Sequence, residues 1–442
     1  MSNRRQFLKA SAGVPIVMGT KVLEVQAAAF ENGRENREFV INEKMQEARD
    51  VALRILQPSQ KDLEHGMELH YDSLVVESYG FSPRAPRSAF DDGEIIRAIE
   101  AGASDAEVEH RIEDMQKTRC VTDAFEREEY LNAWKAAGVT CILQNAGEEG
   151  NAVDHLLKRL AMFTYVTDFL RKSVFKAVTP DDIEDAKAQN RHCLYLSGNG
   201  VPLPQNWVSV EEELRYIRVF FELGIRMMHL TYNRSNMIGA GCGEAVDGGL
   251  TDFGRSVVVE MNKVGVIVDI AHSGWQTSLD AARVSNRPVV ASHSGCAALN
   301  QHYRCKPDNV IQALADSGGY IGICCVPTFL GGKGDITSML DHLDRAIRKF
   351  GADHVAIGTD VVYSSRIGSR NWERVPERKT RSRWEALWPP PRLTDTPEQR
   401  LSMAWTNWPL FTVGLVQRGH SDDDIRKILG GNVMRVARAT LA

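Results

Sequence analysis

Short apolar runs alternate with amphipathic stretches along most of this chain. From about residue 138 the runs fall at 138–144, 193–197, 225–231, 265–272, 288–293, 320–326 and 354–360. Each is short and largely apolar, and most carry β-branched residues, as suits a buried strand. An earlier run at 67–72 makes eight. The stretches between them carry helix signals. Ser209-Val210-Glu211-Glu212 is a capping box followed by Leu214, Ile217 and Phe221 on one helical face, with a stop at Gly224. The next helix starts at Thr251, repeats Phe253, Val257, Met261 and Val264 at three- and four-residue spacing, and ends at Gly265.

Eight strands alternating with helices predict an α/β fold, a (β/α)8 TIM-like barrel of the metal-dependent hydrolase type, with a helical N-terminal extension. The predicted organisation is a leader at 1–29, the extension at 30–66 and the barrel at 67–442. A doubly wound sheet also fits the strand count. The distribution of His and Asp along the chain decides between them. His70, Asp72, His272, His293 and Asp360 each close one of the runs and span about 290 residues. A closed barrel gathers such distant strand ends around one mouth, whereas an open sheet spreads them.

The pair His70-Tyr71-Asp72 places an imidazole and a carboxylate two residues apart, on one face of an extended strand. Residues 265–272 and 288–293 each end in a histidine, and 354–360 ends in Asp360. One such histidine is more often a packed core residue than a ligand. Two on consecutive strands, with an Asp-tipped strand besides, point to a metal site.

Charged residues make up 25% of the 442 and the net charge is −5, so no global basic field draws the chain to nucleic acid. Arg4-Arg5-Gln6-Phe7-Leu8-Lys9, then a modestly apolar stretch to Ala27-Ala28-Ala29, reads as a twin-arginine export signal, and hence a periplasmic or secreted product. The alternative is an ordinary basic helix, which Lys21 and Glu24 favour slightly. No other segment approaches the length of an apolar membrane span. The 8 cysteines include no Cys-X-X-Cys pair and read as buried hydrophobes. Residues 361–395 interleave Arg366, Arg370, Arg374, Arg378, Lys379, Arg381, Arg383 and Arg392 with Trp372, Trp384 and Trp388. Following the last strand directly, this loop is expected to overhang the site.

Taken in order, His70-Tyr71-Asp72, Leu230-Thr231-Tyr232-Asn233, Gly249-Leu250-Thr251-Asp252-Phe253-Gly254, Asp269-Ile270-Ala271-His272, Ser292-His293-Ser294, Gly358-Thr359-Asp360 and Gly431-Asn432-Val433-Met434-Arg435-Val436 resemble the membrane (renal) dipeptidase family of zinc peptidases. The resemblance implies a zinc-dependent hydrolase of dipeptides or small peptide-like amides, with one or two zinc ions. His70, Asp72 and Asp360 would hold one ion, and His272 and His293 the other. A metal-bound hydroxide would attack the carbonyl, with Asp360 ligating and assisting proton transfer. Arg304 would receive the substrate carboxylate as a bidentate fork. The family also implies a homodimer.

Two positions depart from the family pattern. The metal-bridging glutamate is expected at the end of the third strand, where Leu196-Ser197-Gly198-Asn199-Gly200 offers no carboxylate. Glu148 and Glu244 are the conceivable replacements. Tyr232 stands where a histidine helps bind the substrate carbonyl oxygen, and its phenol, protonated at neutral pH, can serve as that donor. The missing carboxylate keeps a second reading open, an exported peptide-tailoring or binding protein with an incomplete metal site and little dipeptidase activity.

Overall fold

A computed structural model of the chain describes residues 39–86, 92–366, 387–389 and 393–441. The predicted leader at 1–29 and most of the charged loop, including Trp372, Trp384 and seven of its cations, lie outside the described residues. The parallel strands run β1 (Val76–Gly80), β2 (Cys141–Asn145), β3 (Val174–Ala177), β4 (His192–Gly198), β5 (Met227–His229), β6 (Ile267–Asp269), β7 (Val289–Ser294), β8 (Ile321–Ile323) and β9 (Val355–Ile357). They pair in the order β1-β2-β4-β5-β6-β7-β8-β9. The seam between β9 and β1 is joined where the Asp360 amide donates to the Tyr79 carbonyl at 3.4 Å. The result is the expected barrel of eight strands with helices around it. The additional strand β3 pairs with the first half of β4, from His192 to Tyr195, and β5 pairs with its end at Ser197 and Gly198. Because β2 holds the other edge of β4, β3 fills the lower part of the gap beside β5.

The local sequence explains the helix boundaries. Ser209 accepts from the Glu212 amide and starts helix Val210–Glu222. Thr251 caps helix Asp252–Val264, which ends at Gly265 in the left-handed conformation, φ 96°. Inside the barrel, Val76, Leu143, Tyr195, Met227, Ile267 and Val290 form one core with Val433 and Met434 of the C-terminal helix Asn432–Leu441. That helix fills the bottom of the barrel, which leaves the C-terminal ends of the strands as the open mouth. A second, larger core lies between strands and helices and includes Trp134, Trp405 and Trp408, all fully buried. All eight cysteines are buried and free.

Seven of the predicted runs contain strands, but the run at 67–72 does not. His70 and Asp72 lie on helix Gln60–Asp72, whose N-cap Ser59 accepts from the Asp62 amide. Leu63, Gly66, Leu69 and His70 are its buried positions, spaced by three, three and one, a helical stripe rather than an alternating strand. Gly66 permits close approach to helix Trp408–Gln417, since a Cβ there would stand 2.7 Å from the Val413 Cα. His70 itself is fully buried, with Nδ1 2.8 Å from Thr412 Oγ1 and Nε2 2.8 Å from the Ala137 carbonyl. Asp72 is exposed. The metal-ligand expectation for both residues is therefore corrected. The strand at this place in the barrel is β1, Val76-Glu77-Ser78-Tyr79-Gly80.

Candidate metal centre and substrate cavity

Three strand tips converge at the mouth. Asp269, the last residue of β6, accepts from the amides of Ala271 at 2.9 Å and Ser292 at 3.1 Å, which fixes the turn into His272 and ties it to β7. The Ser292 hydroxyl donates to the other oxygen of Asp269 in a short hydrogen bond. With its proton so committed, Ser292 Oγ can only accept from His293 Nδ1, 2.8 Å away. On the other side, His272 Nδ1 lies 2.7 Å from Asn233 Oδ1, an acceptor held on a residue at φ 57°. Both imidazoles therefore carry their proton on Nδ1 and present a lone pair at Nε2, that of His272 also facing an Arg304 N–H at 3.3 Å. Those two Nε2 atoms are 3.0 Å apart.

Two lone pairs facing each other at this distance repel unless a positive centre lies between them. Burial first, then the charge of Arg304, pushes both imidazoles well below the ordinary histidine value, so neither supplies that charge as a proton. Nitrogen ligands sit about 2.0–2.1 Å from zinc, and two of them can stand this far apart on one ion. The partners of the two Nδ1 atoms are the outer contacts that orient metal-bound imidazoles. On donor chemistry and orientation, His272 and His293 fit one divalent cation.

Aromatic rings flank the pair. Tyr79 stacks on His293 with centroids 3.8 Å apart and Tyr232 on His272 at 4.0 Å. The Tyr79 hydroxyl donates to Asn199 Oδ1 at 2.8 Å. Arg304 is fully buried, donates to the carbonyls of Ala271 and, at 3.1 Å, His293, and brings an N–H to 3.3 Å from His272 Nε2. A cavity of about 730 Å³ opens above, lined by Tyr79, Asn199, Tyr232, Asp360 and Trp388. Asp360 sits at φ 57°, a conformation uncommon for a residue with a side chain. Burial pushes its carboxyl up to about 6, against the lowering pull of Arg304 and His229. Trp388, from the long loop, meets Tyr232 and His272 edge-on, at 6.3 and 6.1 Å, and so overhangs the site as expected.

The mouth thus brings together Tyr232, His272, His293 and Asp360, and leaves out His70 and Asp72. His272, His293 and Arg304 are buried, and none of the three is on the cavity wall. Within β1, Ser78 Oγ donates to the Ser292 carbonyl at 2.6 Å, and Glu77 accepts from the Thr359 amide at 3.1 Å and Trp405 Nε1 at 2.8 Å, outside the barrel. Neither residue replaces the expected His-X-Asp pair. Glu244 accepts from the Ser235 amide at 2.8 Å, and Glu148 lies 3.7 Å from both His110 and His155, so neither is seen acting as a bridge.

Two residues that the sequence did not single out as ligands complete the cluster. His229 closes β5 and is paired in register with Asp269. Its Nε2 lies 2.7 Å from Asp269 Oδ2, and its ring centroid is 5.2 and 5.4 Å from those of His272 and His293. Burial would raise the Asp269 carboxyl, but His229 and the Ser292 donors outweigh it and hold it below the usual carboxylate value. The signal available in the sequence was that His229, like His293, falls in the C-terminal part of a predicted strand.

A model of the membrane dipeptidase family (Peptidase family M19) matches residues 97–376, and the chain belongs to that family. Dipeptidase tcpJ of Claviceps purpurea (strain 20.1) is 30% identical over 227 residues, 50% of this chain and 46% of its own length. Dipeptidase verJ of Clonostachys rogersoniana is 29% identical over 227 residues, 50% of each chain. The chain thus spans about half the length of these curated relatives. Among solved structures, an amidohydrolase from Pseudomonas aeruginosa superposes with a TM-score of 0.60 at 24% identity, covering 85% of this chain and 99% of that one. The probable dipeptidase PvdM of the same species gives 0.59 at 18%, covering 86% and 99%. A Rhodobacter sphaeroides metallopeptidase bound to a phosphinate mimic of L-Ala-D-Ala gives 0.57 at 16%, covering 84% and 100%. At these identities the structures establish the barrel fold.

Proposed function

We propose that this protein is a metal-dependent hydrolase of dipeptides or small peptide-like amides that works with a single zinc ion on His272 and His293. The observation that carries this reading is the pair of Nε2 lone pairs, 3.0 Å apart, with both tautomers fixed from behind. One ion is favoured over two because the other expected ligand set keeps only Asp360. When bound, zinc would polarise the substrate carbonyl and acidify a water. Asp360, on the cavity wall with its carboxyl near neutrality, is placed to take up and pass on a proton. Tyr232, also on the wall, is a hydroxyl donor for the carbonyl oxygen as negative charge develops. A cavity of about 730 Å³ lies within the size range of small-ligand sites, and Trp388 covers one side of it. The names of the curated relatives support a dipeptide as substrate.

A second reading, binding or tailoring of a peptide without dipeptide turnover, is favoured by the Arg304 N–H directed at His272 Nε2 and by the two tyrosines stacked on the histidines. The discriminating experiment measures metal content of the purified protein and hydrolysis of L,L- and L,D-dipeptides, with and without added zinc. The hydrolase reading expects about one zinc per chain, lost in His272→Ala together with turnover. Peptide affinity without turnover, even in saturating zinc, would establish the binding reading instead.

A further inference from the structure

His229 has no part in the reaction proposed above, yet it is fully buried in the barrel mouth beside both proposed ligands. Its Nδ1 has no hydrogen-bond partner among the described residues. Folded proteins rarely leave a buried polar atom so, and a group of this kind calls for an explanation such as an ion. The other ring nitrogen, Nε2, lies 2.7 Å from the Asp269 carboxylate, though off the line of a good hydrogen bond. One ligand atom each from His229, Asp269 and His293 can be chosen so that all lie within 4.8 Å of one another, a set that does not include His272, which is tied to His229 by a ring-centroid distance of 5.2 Å. The register of β5 on β6 places His229 directly against Asp269, and Asp269 is itself held by two amides and the Ser292 hydroxyl. Metal-bound histidines are commonly oriented by a carboxylate at the ring nitrogen away from the metal, and Asp269 stands at hydrogen-bond distance from His229 Nε2 though not in line with it.

We infer that His229 is a third nitrogen ligand of the ion on His272 and His293, forming a three-histidine centre with Asp269 as the outer carboxylate that orients His229. The inference rests on the one-ion reading above and extends it. An all-imidazole set suits zinc, cobalt, nickel or copper rather than calcium or magnesium, which prefer oxygen. It also explains how one ion can be held without the carboxylates missing from β1 and β4. A third imidazole supplies the grip that two alone lack.

The test uses the whole protein, stripped with a chelator and reloaded. X-ray absorption of the zinc-loaded native protein is expected to show three imidazoles on the metal, and calorimetry is expected to show zinc affinity at least about tenfold weaker in His229→Gln and in His229→Asn. Two imidazoles in the native protein, or zinc affinity unchanged in both variants while His272→Ala abolishes binding, would overturn the inference and leave the one-ion reading standing. A native protein that binds no zinc would overturn both. The absorption measurement needs no substitution, so a variant that fails to fold does not shield the inference.

Discussion

Replacing Glu77 by glutamine should change how stability depends on pH, by an amount that follows from its surroundings. Glu77 is fully buried between β1 and the helical layer, where Thr359 donates to it twice and Trp405 once. Burial is the dominant influence and pushes its carboxyl from the ordinary 4.5 up to about 8. Between those values the unfolded chain has released this proton while the folded protein keeps it. The folded state therefore has its full advantage below about pH 4.5 and loses it as pH rises, at about 1.4 kcal/mol per pH unit, until the loss levels off near pH 8. The accumulated effect is on the order of 4–5 kcal/mol. Glutamine cannot ionise, so this slope disappears. It keeps a carbonyl oxygen for Thr359 but turns an amide toward Trp405 Nε1, a penalty of about 1–3 kcal/mol that does not depend on pH. The variant should be less stable than the parent near pH 5 and should match or exceed it by about pH 8. Urea midpoints of both proteins, measured in chelator across that range, provide the assay, and contributions from other groups cancel in the difference. Parallel curves would refute the reasoning, because they would mean that the three donors keep Glu77 ionised throughout.

Asp360→Asn should lower dipeptide hydrolysis by at least about 100-fold while leaving the fold intact, since asparagine tolerates φ 57° and lacks only the basic oxygen; steady-state kinetics beside circular dichroism would check it, and undiminished turnover would remove Asp360 from the mechanism. Asn233→Ala removes the acceptor that fixes the His272 tautomer, and zinc affinity should fall by about 10–100-fold. Calorimetry that finds no change would show that the imidazole is oriented by something else.

Much of the barrel was legible in the sequence because buried parallel strands are short apolar runs set between capped helices. The failure at His70 has a specific cause. A His-X-Asp spacing reads as one face of a strand, but Ser59 caps a helix whose buried stripe ends at His70, and helical periodicity decided the structure. The real first strand was hidden by Glu77, a charge in an otherwise apolar stretch that is satisfied only by residues some 280 to 330 positions away. β3 was hidden for a similar reason, because it is only four residues long and Lys176 interrupts its apolar pattern. At the site, His272, His293 and Asp360 were legible as strand-end residues, and Tyr232 through the family resemblance. His229 was not, because its significance depends on the register that places it against Asp269.

The contact of His70 with both Ala137 and Thr412 has a consequence for the order in which the chain can fold. Helix Gln60–Asp72 is made well before its packing partner, helix Trp408–Gln417, and His70 bonds across a separation of 342 residues. The same dependence recurs in Asn407, whose amide donates to the Ala48 carbonyl at 2.9 Å, and in Gln417, which donates to Leu56 at 3.1 Å. Contacts this distant in sequence must wait for loop closure and slow the final step. During synthesis helices Glu43–Leu56 and Gln60–Asp72 stay undocked until almost the whole barrel exists, so a protease acting then should cut near residues 43–72, a region that becomes resistant only once residues 408–417 have arrived.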